Sequence, residues 1–138
     1  MKAVLDASTI ISLVKKHGED SIDMLEGSAT IALAPYEIGN MLRTETQLTR
    51  TLTVAEADRL LYIFYRILAV VTVAAPATAD EAIRILRMAR ETDNSYYDAA
   101  YLTEAKKKRV PLATEDRHLA EAAERNGVKT VNADSLSS

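Results

Sequence analysis

The chain has 138 residues, 48% apolar and 27% charged, which leaves room for one packed domain and excludes the weakly hydrophobic, highly charged composition of disordered chains. It has no Cys, which excludes disulfides and thiolate chemistry; with no run of about 18 apolar residues, and with Met1 to Leu5 meeting an acid at Asp6, a cytoplasmic protein without signal peptide or membrane span is expected. With 17 Lys and Arg against 20 Asp and Glu the net charge is -3, so a polyanion partner would need a local site rather than a global field.

Short apolar runs without polar alternation mark strands covered on both faces. In chain order they are Ala3 to Leu5, Thr30 to Ala34, Val70 to Val73, Val110 to Ala113 and Val128 to Val131, the last behind the helix-stop pair Asn126-Gly127. Pro35 to Leu68 reads as two adjacent helices split near Thr49 to Thr53, the natural protruding pair. In the second of them Val54, Ala57, Leu61, Phe64 and Leu68 recur at helical spacing behind a capping box of Thr53 and Glu56. Ala79, Ala82, Ile83, Leu86 and Ala89 repeat the pattern behind Thr78 and Glu81. Strands alternating with helices predict an α/β fold, a three-layer α/β/α sandwich around a mainly parallel sheet. No linker-like stretch or internal repeat divides it, so residues 1–138 form a single domain.

Ligands of an open parallel sheet gather beyond the carboxyl ends of its strands. Asp6 follows the first strand, Glu37 comes three residues after the second, and Asp116 follows the fourth through Thr114-Glu115. Asp98 lies in the first turn of a helix that begins near Asn94-Ser95. Each alone is a plausible helix-start acid: Pro35 fits N1 with Glu37 at N3, Ser95 and Asp98 have capping-box spacing, and Thr114 could cap ahead of Asp116. A first-turn acid contributes only about 0.3 to 1 kcal/mol, however, and nothing in helix capping requires all four on one edge of the sheet.

Four carboxylates at mean separations of about 6.5 Å would repel by roughly 2.5 kcal/mol per pair at an effective dielectric near 20, about 15 kcal/mol over six pairs. That rivals the whole stability of a domain, about 5 to 15 kcal/mol. Protons or a divalent cation must relieve it. An all-oxygen donor set favours Mg²⁺ or Mn²⁺. The chemistry that follows is phosphodiester hydrolysis, with a water activated by the ion and charge on the scissile phosphate stabilised.

These segments resemble, in order, the four motifs of the PIN-domain nucleases, and most closely the VapC-type toxins of prokaryotic toxin–antitoxin pairs. Val4-Leu5-Asp6-Ala7-Ser8 resembles the first motif and Pro35-Tyr36-Glu37-Ile38-Gly39-Asn40 the second. Tyr96-Tyr97-Asp98-Ala99-Ala100-Tyr101-Leu102 resembles the third, and Leu112-Ala113-Thr114-Glu115-Asp116 the fourth, in its Thr-x-Asp form. The resemblance implies a PIN-like fold and a catalytic metal site on Asp6, Glu37, Asp98 and Asp116. Ser8 and Thr114 would supply hydroxyls to bonds behind the ligands, and Asn40 would touch the site or the substrate. It further implies Mg²⁺ (or Mn²⁺) dependence, endoribonuclease activity on RNA, a homodimer and a small antitoxin protein as partner. The same fold also serves as a non-catalytic RNA-binding or assembly module and as a housekeeping RNA-processing nuclease, and both alternatives stay open.

Arg43 and Arg50 follow Glu37 by roughly two and four helical turns and are candidates to flank the groove and bind RNA. The run Lys106-Lys107-Lys108-Arg109 is explained by a helix C-terminus, where cations complement the dipole. Phe64 fits the core, while Tyr62 and Tyr65 fall off its face and suit an interface with a second copy or the antitoxin. His17, beside a Gly in a loop, and His118, on a helix, read as surface residues outside the acid set, which argues against a His-pair nuclease. A phosphoacceptor domain would need an acid after Thr72-Val73-Ala74, and a phosphatase a second acid in Asp6-Ala7-Ser8; neither is present. The 4 Gly form no phosphate-cradling loop.

Overall fold

The structure, a computed structural model, describes residues 2–136. In chain order it runs β1 Val4–Leu5, α1 Ala7–His17, α2 Asp20–Leu25, β2 Ala29–Ile31, α3 Ala34–Arg43, a π-helical turn Thr44–Leu48, α4 Val54–Leu68 and β3 Thr72–Ala74. It continues with α5 Ala79–Thr92, α6 Tyr96–Lys108, β4 Leu112–Ala113, α7 Arg117–Arg125, β5 Thr130–Val131 and α8 Ala133–Leu136. All four strand pairings are parallel, in the order β3-β2-β1-β4-β5. Every predicted strand is found. Each is shorter than its apolar run, because the sheet needs only two or three paired residues per strand and the flanking apolar residues enter helices or turns. Ala34, for example, opens α3 rather than ending β2.

Helices cover both faces, as an all-parallel sheet requires. On one face α1, α3 and α4 bury Ile10, Leu13, Ile38, Leu42, Ile63, Phe64 and Ile67 in a cluster that includes Leu5 of β1. On the other, α5, α6 and α7 bury Ile85, Met88, Tyr101, Leu102, Leu119 and Ala122 against Val4, Ile31 and Leu112. The chain therefore builds outward from β1 through β2 to β3 along one face, then crosses over through α5 and α6 to lay β4 and β5 on the far side. The direction of winding thus reverses at the paired strands β1 and β4, the place where an open α/β sheet leaves its crevice.

Two helical faces differ from expectation. In α4 the buried stripe is Ala57, Ile63, Phe64 and Ile67, while Val54 is exposed. In α5 it is Ile85, Met88, Ala89 and Thr92, with Ile83 and Leu86 left 47% and 43% exposed. Both sequences carry two overlapping apolar stripes, and the neighbour, α6 in the case of α5, decides which is used. The pair α3 and α4 folds its inner side into the core and presents Tyr36, Tyr62 and Tyr65 outward. Thr53 and Glu56 form the reciprocal capping box. At α5 only half of it forms: Thr78 accepts from the Glu81 N–H at 3.2 Å, whereas the Glu81 carboxylate reaches one residue further, to the Ala77 N–H at 2.7 Å.

Candidate functional site

Asp6 leaves the end of β1 at the switch point, where its N–H donates to Ala113 O of β4 at 3.1 Å. It is the N-cap of α1: its Oδ1 accepts from the Thr9 N–H at 2.9 Å and from the Ser8 hydroxyl at 3.1 Å, and the residue is only 7% exposed. Asp116 repeats the device on the neighbouring strand. It caps α7, its Oδ1 accepting from the Leu119 N–H at 3.2 Å, and its own N–H donates to Thr114 Oγ1 at 3.0 Å. Thr114 was expected to be the cap; Asp116 takes that position itself because the chain is still extended there. Ser8 and Thr114 thus sit behind the two aspartates, where their hydroxyls fix carboxylate and backbone.

Asp98 enters from the other side of the crevice, in the first turn of α6, which Ser95 caps through the Asp98 N–H at 3.1 Å. Glu37 lies in the first turn of α3, with Pro35 one position further into the helix than N1. Its Oε1 accepts a 2.6 Å hydrogen bond from the hydroxyl of Tyr101, itself 1% exposed. Tyr101 stands three residues after Asp98, so α6 presents both on one side. Sequence reasoning missed it; the signal was that spacing.

The electrostatics tie the four acids together. Burial pushes the Glu37 carboxyl above its usual range; the Tyr101 hydrogen bond opposes this, and the charges of Asp98 and Asp6 add to it. Burial likewise pushes Asp98 up, reinforced by Asp116 and Asp6 and opposed by the Ser95 hydroxyl and by His118. Burial and Glu37 push the Tyr101 phenol far up, so it stays protonated and acts as a donor. Each acid feels at least one other. Yet among the described residues no three His, Cys, Asp or Glu side chains are already drawn to metal-ligand spacing. Like charges spread apart where rotamers allow, so the six-pair repulsion at 6.5 Å is an upper bound for this arrangement. The donor chemistry, carboxylates alone with buried hydroxyls behind them, fits a hard divalent ion and no soft one.

The remaining predicted residues fall around this centre. Asn40, exposed, follows Glu37 by one turn of α3, and Arg43, exposed, ends that helix. The α-helical register used to place Arg50 stops at Arg43: the π turn intervenes, and Arg50 takes a positive φ of 53° in the bend beyond it. Lys106 to Lys108 close α6, with Lys108 paired to Glu104 at 3.4 Å. His17 is the last residue of α1, not a loop residue. His118 is exposed as expected, bonded through Nε2 to Asp93 O at 2.9 Å, but its charge reaches Asp98, so it belongs to the rim of the acid set. A groove of about 520 Å³ lies elsewhere, over the bare β2–β3 edge between Val73, Ile85, Tyr97 and Ala100, and none of the four acids lines it.

Together these features define an α/β protein with a five-stranded parallel sheet and four acids, from two strand ends and two helix starts, that act on one another's charge. No family model matches the sequence, and no curated protein does. Among solved structures the chain is similar to PAE2754 from Pyrobaculum aerophilum, with a TM-score of 0.77 and 29% identity over 99% of this chain and 86% of that one. Among the described residues no helix is long and apolar enough to cross a membrane.

Proposed function

We propose that this protein is a cytoplasmic, metal-dependent endoribonuclease of the PIN type, and the toxin of a VapBC-type pair with a small antitoxin protein and a homodimeric state. The observation that supports the reading is that Asp6, Glu37, Asp98 and Asp116 lie near enough at the carboxyl end of the sheet to act on one another's charge, which adds to burial in making Glu37 and Asp98 resist ionisation. These four residues would hold Mg²⁺ or Mn²⁺. When bound, such an ion supplies an activated water and stabilises charge on the scissile phosphate and leaving oxygen.

The chain's own residues perform the rest. Asp6 and Asp116 are held rigid by helix caps, and Ser8 fixes the second rotamer-determining bond on Asp6. Tyr101 holds Glu37 against the charge of Asp98 and Asp6. Asn40 and Arg43, exposed on α3 beyond Glu37, would meet the RNA backbone. His118 Nε2 is tied to Asp93 O, so that nitrogen is already engaged rather than free for the acid–base work of a cyclising ribonuclease.

Cleavage of a structured RNA panel with Mg²⁺, Mn²⁺ or EDTA, in the unsubstituted chain and in Asp6→Asn and Asp98→Asn, tests this. Metal-dependent cutting that leaves 5′-phosphate and 3′-hydroxyl ends, abolished by either substitution, is expected. Products with 2′,3′-cyclic phosphate would contradict the mechanism, and metal-independent RNA binding without cleavage would instead identify a binding module on the same fold.

A further inference from the structure

We propose that Tyr101 is a selectivity residue of the acidic crevice, holding one oxygen of Glu37 so that this carboxylate ligates through the other alone and the site favours Mg²⁺ and Mn²⁺ over Ca²⁺. The inference rests on the reading that the four acids hold a divalent cation. Its own basis is geometric. The 2.6 Å bond from the Tyr101 hydroxyl to Glu37 Oε1 is short, as charge-assisted bonds are. The ring that carries the donor is 1% exposed and belongs to the buried cluster that α5, α6 and α7 form against the sheet, so the hydroxyl cannot follow a carboxylate that turns away. The hydroxyl proton is thus committed to Glu37 Oε1.

The two classes of ion ask different things of a carboxylate. Ca²⁺ takes about six to eight oxygens at 2.3 to 2.6 Å and gains from two-oxygen chelation, whereas Mg²⁺ demands a tight octahedron, keeps waters and takes single carboxylate oxygens. For Glu37 to chelate with both oxygens it must swing its bisector onto the ion and stretch or break the Tyr101 bond. The larger ion thus loses a hydrogen bond that the smaller one keeps. Tyr101→Phe removes that difference and conserves the ring volume.

Metal binding to the metal-free full chain, followed by calorimetry and by Mn²⁺ paramagnetic resonance with Mg²⁺ and Ca²⁺ as competitors, reads this without any cleavage assay. In Tyr101→Phe the affinity for Ca²⁺ relative to Mn²⁺ should rise by about tenfold, the equivalent of one charged hydrogen bond no longer sacrificed. An unchanged ratio overturns the selectivity role and leaves the metal site standing; a chain that binds none of the three ions overturns the reading beneath it. A second measurement needs no Tyr101 variant. The infrared difference between the unsubstituted chain and Glu37→Gln isolates the Glu37 carboxylate stretches, whose splitting in the Mg²⁺ form should be that of single-oxygen ligation. A bidentate splitting there overturns the proposal.

Discussion

Replacing Asp98 by Asn should make the metal-free protein more stable while disabling its site. Asp98 resists ionisation because the fold half-buries it and sets it near Asp116 and Asp6. For partners about 8 Å away, at an effective dielectric near 20 and a screening length near 8 Å, each repulsion is about 0.8 kcal/mol, or about 1.5 for the two. Desolvation of the carboxylate adds to the same side. Against this stands the first-turn position in α6, where losing an anion costs about 0.3 to 1 kcal/mol. The raised pKa says which side wins: the folded state disfavours the charge more than the unfolded state does. A net gain near 1 kcal/mol corresponds to a melting temperature higher by about 3 to 4 °C for a chain of this size. The assay is thermal unfolding by circular dichroism in EDTA near neutral pH, repeated in acid and with Mn²⁺. The advantage should vanish in acid, where Asp98 is protonated in both states, and reverse in Mn²⁺, where only the unsubstituted chain gains. An Asp98→Asn protein no more stable than its parent in EDTA would refute the electrostatic reasoning.

The same physics sets a pH dependence. Glu37 and Asp98 have folded values raised above 4.5 and 3.8, so their contribution to stability is whole below those values and is lost as pH rises through the folded ones; metal-free melts should fall across that window, and a flat profile would count against the coupling. Asp116→Asn should preserve the cap of α7 and lose cleavage, whereas Asp116→Ala should lose cleavage and about 1 kcal/mol of stability as well, since Asn caps as well as Asp does and Ala cannot; denaturant titration of the two variants separates the roles. On α5, Ile85→Ala should cost about 2 to 5 kcal/mol and Leu86→Ala less than about 0.5, because only the first is buried. Equal losses would mean that the outer stripe is covered in solution.

Much of this was legible in the chain. Five unalternating apolar runs separated by helical patterns require a doubly covered parallel sheet, because only that architecture buries both sides of every strand. Acids placed one residue after Leu5 and three after Ala113 must lie at the sheet's carboxyl edge whatever the helices do, since a residue so close behind a strand cannot leave its end. What depends on neighbours far along the chain was not legible. Whether α5 turns Ile83 or Ile85 inward is settled by α6, and both choices satisfy the helical period equally. That Asp6 and Asp116 cap their own helices while Asp98 borrows Ser95 depends on where each chain bends from extended to helical. The bond from Tyr101 to Glu37 joins residues 64 positions apart, and no local pattern encodes it: it exists because β1 sits between β2 and β4, and so brings α3 and α6 to the same end of the sheet.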